Sequence, residues 1–418
     1  AGASDALTVA SYDGGASIAR ASIGTLERGR AGSGASADVE RSWAATMTMD
    51  ELEVPSPADF HVHLRQGAMR ELVAPHVALG GMDLAYVMPN LVPPIQSSDE
   101  AVEYVRALEA LAPTTRFLGT MYLSPQLTPE EIRRAAAAGV RGVKSYPRGV
   151  TTNSDGGIED YERYYPVFAA MEETNMVLNL HGEVPSDAEK GICVLNAEPR
   201  FLTHLEKIHA RFPRLRIVLE HATTRAAVEC VKRCGETVAC TITPHHLQLI
   251  VDDWAGKPLH FCKPVAKTPD DRAALRDVIR EGHPRFFLGS DSAPHPLASK
   301  YPSPASRDGS TAALARNCGC AAGVYTQAVL LPLCATLLES FGALDKLAAY
   351  VSENGRRFYQ EPAAPGRVVK LRRTTDADAA VPAAYVHPAS QGLDDTDPAK
   401  LQVVPFMAGE RLAWRIEP

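Results

Sequence analysis

From Pro57 onward, short runs rich in β-branched and aromatic residues alternate with longer amphipathic runs, and this alternation recurs eight times over about 270 residues. Alternation of this kind signals βα units around a parallel sheet. Eight units predict an α/β fold, a (β/α)8 TIM-type barrel, in which catalytic groups stand at the C-terminal ends of the strands. The predicted strands are 59–64, 83–88, 116–123, 142–146, 176–181, 216–221, 237–243 and 285–291. Helices are predicted over 97–111, 130–138, 160–173 and 270–280, with a last helical region at 344–357. No glycine-rich dinucleotide or P-loop fingerprint follows any of these strands.

The barrel unit is expected over 46–360. A small C-terminal cap follows over 361–418, with strand-like pieces at 367–371 and 401–406 separated by a polar loop. Residues 1–45, rich in Ala, Ser and Gly, read as a flexible N-terminal extension. The chain has 418 residues and a net charge of -7, the wrong sign for neutralising a nucleic-acid backbone or an anionic membrane. Its most apolar stretch, 329–338, is broken by Pro332 and is far short of the roughly 20 apolar residues of a membrane helix. Eight cysteines without a Cys-x-x-Cys pair read as reduced thiols, which predicts a cytoplasmic protein. Arg20, Arg28, Arg30 and Arg41 would suit a mitochondrial or plastid targeting remnant, but Asp5, Asp13, Glu27, Asp38 and Glu40 oppose it.

The strand ends carry the chemistry. His61 and His63 are two apart on the first strand, so their imidazoles share a face. Lys144 ends strand four, His181 strand five, His221 strand six and Asp291 strand eight, and a barrel brings all of these to one rim. Neutral imidazoles and carboxylates are zinc ligands. Two ions roughly 3.5–4 Å apart also need an anionic bridge. A buried lysine can lose its proton and take up carbon dioxide as a carbamate, which would make Lys144 such a bridge. The plainer alternative is a strand-end lysine paired with a surface carboxylate such as Asp155. His204 and His209 read as ordinary helix residues, His245 and His246 as packing behind the rim, and Cys318 and Cys320 as small buried residues.

Several segments together resemble the successive motifs of the monofunctional dihydroorotases within the amidohydrolase superfamily. They are Asp59-Phe60-His61-Val62-His63-Leu64-Arg65, Met88-Pro89-Asn90, Val143-Lys144-Ser145-Tyr146-Pro147, Leu180-His181-Gly182-Glu183, Glu220-His221-Ala222-Thr223-Thr224 and Gly289-Ser290-Asp291-Ser292-Ala293-Pro294-His295. The resemblance spans about residues 55 to 360, in order. It implies a metal-dependent barrel with two zinc ions per chain, interconverting L-dihydroorotate and N-carbamoyl-L-aspartate in pyrimidine synthesis. By motif position it places His61, His63 and Asp291 on one zinc, His181 and His221 on the other, and N6-carboxylated Lys144 between them. Asp291 would also carry the proton between the attacking water and the ring nitrogen.

The resemblance further assigns Arg65, Asn90 and His295 to the substrate carboxylate and backbone near Lys263 and Ala321 to the pyrimidine edge. The stretch 296–317, just before Ala321, is longer than the family pattern. Thr151 and Thr152, in the Gly-rich segment after Lys144, resemble the threonine pair of a closing loop. The implied partner is a small molecule, with no nucleic acid or membrane, and a homodimer is expected. A hydantoinase or allantoinase would share the metal ligands, though Arg65, Asn90 and His295 argue against it. A non-catalytic barrel scaffold would not need six filled metal positions.

Overall fold

The structure is a computed structural model that describes residues 50–417 apart from 155, 159, 302–318, 376–378, 395, 396 and 398. The expected flexible extension at 1–45 therefore lies outside the described residues. The strands are β1 (Glu51–Pro55), β2 (Ala58–Val62), β3 (Leu84–Val87), β4 (Arg116–Leu118), β5 (Thr120–Tyr122), β6 (Gly142–Ser145) and β7 (Val177–His181). They continue with β8 (Arg216–Glu220), β9 (Val238–Ile242), β10 (Phe286–Leu288), β11 (Val368–Arg373), β12 (Tyr385–Val386), β13 (Gln402–Val403) and β14 (Trp414–Ile416).

Strands β2 to β10 form the predicted barrel. Sheet β2-β3-β4 and sheet β5-β6-β7-β8-β9-β10 are parallel throughout. They meet where β4 runs into β5 across Gly119, so the run predicted at 116–123 is one interrupted strand. At the opposite seam β10 returns to β2. There Val62 bridges Ser292, Asp291 N–H donates to His61 O (2.8 Å) and His63 N–H to Ser292 O (3.0 Å). Asp59 clasps the same seam, accepting from the N–H (2.8 Å) and hydroxyl (2.6 Å) of Ser290.

A helix follows each barrel position, as at Ser98–Leu111, Pro129–Ala137, Ala197–Arg211 and Pro269–Arg280. Their starts are written in the sequence. Ser97 accepts from Glu100 N–H while the Glu100 carboxylate accepts from Ser97 N–H, a capping box, and Thr128 and Thr268 cap helices that begin with Pro129 and Pro269. Runs such as Leu84–Val87 and Val177–His181 are buried on both faces, as expected of strands covered by helices outside and side chains inside. No helix among the described residues is long and apolar enough to cross a membrane.

Three features differ from the sequence expectation. The tail strand β11 pairs on one side with β14 and on the other with β1, so Glu51–Pro55, placed with the barrel by its position, belongs to the cap sheet. The short β13, within 401–406, pairs instead with β12. The helical region at 344–357 is a 3-10 turn (Leu344–Lys346), a π-helical turn (Ala349–Glu353) and an α-helix (Asn354–Tyr359).

That last helix closes the barrel floor. Tyr359 stacks on Phe60 with ring centroids 4.8 Å apart, and Phe60 meets Phe287 edge-on at 5.5 Å, inside a cluster that includes Tyr86, Val177, Val218 and Ala239. Gly355 sits so close to Phe60 that a Cβ would overlap the ring. Gly355→Ala should therefore destabilise the fold by about 1–3 kcal/mol through overpacking. A chemical-denaturation midpoint equal to the parent's would contradict this packing.

Candidate metal centre

The mouth of the barrel holds a narrow cavity. His61, His63, His181, His221 and Asp291 line it, together with Arg65, Asn90, Thr151, Thr152 and Lys263. The predicted strand ends thus converge. A register shift of β2 against β3 between Asp59 and Val62 lets consecutive residues Phe60 and His61 both turn inward: Phe60 packs in the barrel core while His61 reaches Glu220 on β8.

Hydrogen bonds fix which ring nitrogen faces the cavity. His61 Nδ1 donates to Glu220 Oε2 (2.7 Å), so Nε2 presents its lone pair, and that buried atom has no hydrogen-bond partner. His63 Nδ1 donates to Asn90 Oδ1 (2.8 Å), which turns its Nε2 lone pair toward Asp291 Oδ1, 3.0 Å away. Burial drives the His63 pKa down to about 4, so the ring is neutral and cannot donate from both nitrogens. The buried Asp291 carboxylate faces these rings, its Oδ1 lying 3.0 Å from His63 Nε2 and 3.5 Å from His61 Nε2. Two lone pairs and a carboxylate therefore face one another, with ligand atoms all within 4.8 Å. A cation is the species that satisfies all three.

The second half is built alike. His181 Nε2 donates to Glu183 Oε2 (2.8 Å), leaving Nδ1 for the cavity, and the His181 and His221 rings lie 4.7 Å apart. His221 Nδ1 is buried without a hydrogen-bond partner, and burial holds that ring well below its ordinary pKa. Each of the four imidazoles thus turns a ring nitrogen toward the cavity, and the donor set fits metal ions.

Three cavity residues, Arg65 (φ 57°), His221 (φ 41°) and Asp291 (φ 45°), adopt left-handed backbone conformations. Each costs of order 1–3 kcal/mol in a non-glycine residue. Glu220 already points inward from β8, and the left-handed turn brings the adjacent His221 to the same mouth. Thr241 Oγ1 secures it, accepting from His221 N–H (2.7 Å) and donating to Glu220 (2.6 Å).

Lys144 is fully buried and is not part of the cavity wall. Its Nζ donates to Ser145 O (3.3 Å) and lies 4.1 Å from the centre of the Tyr146 ring. Asp155 lies outside the described residues. Burial lowers the Lys144 pKa to about 7 against the raising fields of Glu220 and Asp291.

The remaining expected residues fall unevenly. Arg65 reaches the cavity and donates from Nε to Pro294 O (3.1 Å). His295 stands beside it instead of in the wall, its Nε2 3.2 Å from Arg65 Nη2 and 2.9 Å from Ala322 O. Ala321 does not line the cavity, because its N–H donates to Ser299 O and its carbonyl accepts from Lys300. Ala322 and Gly323 occupy the wall, a shift of one to two residues after a stretch, 302–318, that lies outside the described residues along with Cys318. Asn90 donates to Thr152 O (3.2 Å) and accepts at its own carbonyl from Asn153 (2.9 Å), so the loop rests on the cavity. His204 packs against Tyr161 and His209 accepts from Gly235 N–H, both away from the mouth.

Sequence reasoning gave no role to Glu220 and Glu183, although an acidic residue ending the apolar run Arg216–Glu220 is a visible signal. Glu220→Gln keeps the shape but removes the carboxylate that orients His61. Metal affinity should fall about 10–100-fold. Competition with a chromophoric chelator measures it, and an unchanged affinity would show that Glu220 only packs.

Comparison with known proteins agrees with this geometry. The family profile described as amidohydrolase matches residues 58–238. A dihydroorotase of Mycosarcoma maydis is 66% identical over 391 residues, covering 88% of this chain and 99% of that protein. The crystal structure of dihydroorotase in complex with 5-fluoroorotic acid from Saccharomyces cerevisiae superposes with a TM-score of 0.77 at 42% identity, over 88% of this chain and 99% of that one. The L-hydantoinase (dihydropyrimidinase) from Arthrobacter aurescens, at 18% identity and a TM-score of 0.67 over 80% of this chain and 78% of its own, shares the fold. With imidazoles and a carboxylate gathered at the mouth of an amidohydrolase barrel, and with 66% identity to the Mycosarcoma maydis dihydroorotase over 88% of its length, the chain belongs to the dihydroorotase family.

Proposed function

We propose that this chain interconverts N-carbamoyl-L-aspartate and L-dihydroorotate in de novo pyrimidine synthesis, with two zinc ions bridged by N6-carboxylated Lys144. The observation that carries the reading is the convergence of the His61 and His63 lone pairs on ionised Asp291, in one cavity with His181, His221 and Arg65. His61, His63 and Asp291 would hold one ion and His181 and His221 the other. The chemistry that ions held there would supply is an acidified water and a polarised ring carbonyl.

The chain's own groups do the rest. Asp291 accepts the proton released in hydrolysis and returns it to the departing ring nitrogen, and the same proton runs backward in cyclisation. Arg65 supplies a guanidinium fork for the substrate carboxylate, with Asn90 beside it. His295 braces that fork from behind, and burial keeps its ring neutral, with a pKa of about 3, beside the Arg65 charge. Thr151 and Thr152 offer hydroxyl donors from the loop, which excludes water from the reacting groups when it lies on the cavity. Lys263 contributes to the wall on the pyrimidine side.

The zinc-loaded protein should turn over dihydroorotate in a panel with hydantoin and allantoin, and preference for either of the others would reassign the substrate. Two variants separate the roles. Asp291→Asn should lower turnover by about 10²–10⁴-fold. The Thr151→Val and Thr152→Val pair should also lose turnover but keep the parent's metal content. Asp291→Asn turnover within threefold of the parent would move the proton to another group, and an active threonine double variant would leave the loop a passive connection.

Carbamate formation needs a neutral amine, and the Lys144 pKa of about 7 sets its pH dependence. The neutral fraction is large above that value and falls about tenfold from pH 8 to pH 6. At fixed dissolved carbon dioxide, the initial rate of label incorporation from isotope-labelled carbon dioxide by the metal-free protein should therefore rise about tenfold from pH 6 to pH 8, because that rate follows the neutral amine. Zinc reconstitution should require bicarbonate. Reconstitution indifferent to bicarbonate would remove the bridge.

A further inference from the structure

Behind the cavity wall lies a second group of metal-ligating side chains. His245 and His246 stand in the helix Pro244–Gln248 that follows β9, and Cys262 precedes the wall residue Lys263. All three are buried, and one ligand atom from each lies within 4.8 Å of the others. Neither ring nitrogen of His245 has a hydrogen-bond partner among the described residues. A fully buried imidazole with two unsatisfied nitrogens is unusual, because buried polar groups are normally paired. Its ring packs against His246, 4.5 Å between centroids, and Phe406, 6.5 Å.

Distances within the group match a coordination shell. His246 Nε2 and Cys262 Sγ are 3.6 Å apart. Zinc–nitrogen and zinc–sulfur bonds of about 2.0 and 2.3 Å, opened to a tetrahedral angle, separate the two ligand atoms by about 3.5 Å. Pro264 O lies 3.0 Å from that nitrogen and 3.2 Å from that sulfur, an oxygen donor on the same side. His246 can release its Nε2 proton without loss at its other nitrogen. The Thr243 hydroxyl, 2.8 Å from Nδ1, can accept as readily as it donates, so it suits either tautomer.

We infer that His245, His246 and Cys262 bind one further borderline-soft divalent ion, of the zinc class, distinct from the metal centre at the barrel mouth. On binding, the Cys262 S–H bond breaks, the sulfur keeps the electron pair as a thiolate ligand, and the proton leaves to water. Such an ion ties the segment carrying Lys263 to the barrel end of β9. Lys300 already fastens this segment from another side, donating to the carbonyls of Phe261, Ala321 and Gly323. The ion would thus hold one wall of the substrate cavity without touching substrate.

Cobalt substitution tests this directly, because the ligands at the barrel mouth include no sulfur. The cobalt-loaded full chain should show a near-ultraviolet sulfur-to-cobalt charge-transfer band, and the zinc-loaded chain one zinc beyond those at the mouth by elemental analysis. Both should be lost in Cys262→Ser and in His245→Gln. Cys193→Ser and Cys320→Ser should keep them. A cobalt-loaded parent without the band, or a band that survives Cys262→Ser, would overturn the site. Should Cys262→Ser fail to fold, His245→Gln carries the same two readouts, and a band and zinc content equal to the parent's would overturn it equally.

Discussion

Three electron-rich atoms confront one another where the barrel closes: Nε2 of His61, Nε2 of His63 and Oδ1 of Asp291. Much of the surrounding structure explains why they cannot turn away. Glu220 holds the outer nitrogen of His61 and Asn90 that of His63, so each ring offers its lone pair inward. Glu220 is in turn held by Asn179 and Thr241, and Asn179 by Tyr86 and Tyr359 from the barrel core. An arrangement so short of protons in a buried cavity is unfavourable by itself and becomes favourable with a cation. The fold spends rigidity on a ligand it is built to receive.

That rigidity has an identifiable source. The seam between β10 and β2 carries both His61 and Asp291, and it is closed by few ladder bonds, with Asp59 and Ser290 adding a side-chain clasp. Arg65, His221 and Asp291 sit in left-handed conformations that an isolated chain would leave. Thr241 beneath His221, the His61 carbonyl accepting from Asp291 N–H, and Tyr104 donating to Arg65 O hold them in place. Below them the aromatic floor of Phe60, Phe287 and Tyr359 prevents the strand ends from collapsing inward.

The substrate side is built with lighter constraints. Arg65 is bracketed by the Pro294 carbonyl and His295, and the loop bearing Thr151 and Thr152 meets the cavity chiefly through Asn90. Asn90 therefore touches both halves: its side-chain oxygen fixes His63 and its amide nitrogen holds the loop. A hydantoinase shares the barrel at low identity. The features that would distinguish the substrate lie in these few side chains on loops, while the metal ligands stand on or just beyond the strands.

The barrel and its metal-ligand types were legible in the sequence because period-two and βα alternation are local properties. His61, His63, His181, His221 and Asp291 could be named from strand ends alone, since a barrel sends every strand's C-terminus to one rim. The cap strand Glu51–Pro55 also alternates visibly, yet its partner is more than 300 residues away, and pairing over that distance leaves no local trace. The same limit applies to Glu220 and Glu183, whose roles depend on which ring each reaches across the barrel. It applies to Ala321 as well, where Lys300 holds the carbonyl and passes the wall to Ala322 and Gly323. Sequence determined which chemistry the chain can carry, because residue type and period are written along it. Tertiary structure alone decided which nitrogen of each imidazole faces the cavity and which backbone turns into it, because both are set by hydrogen bonds between strands far apart in the chain.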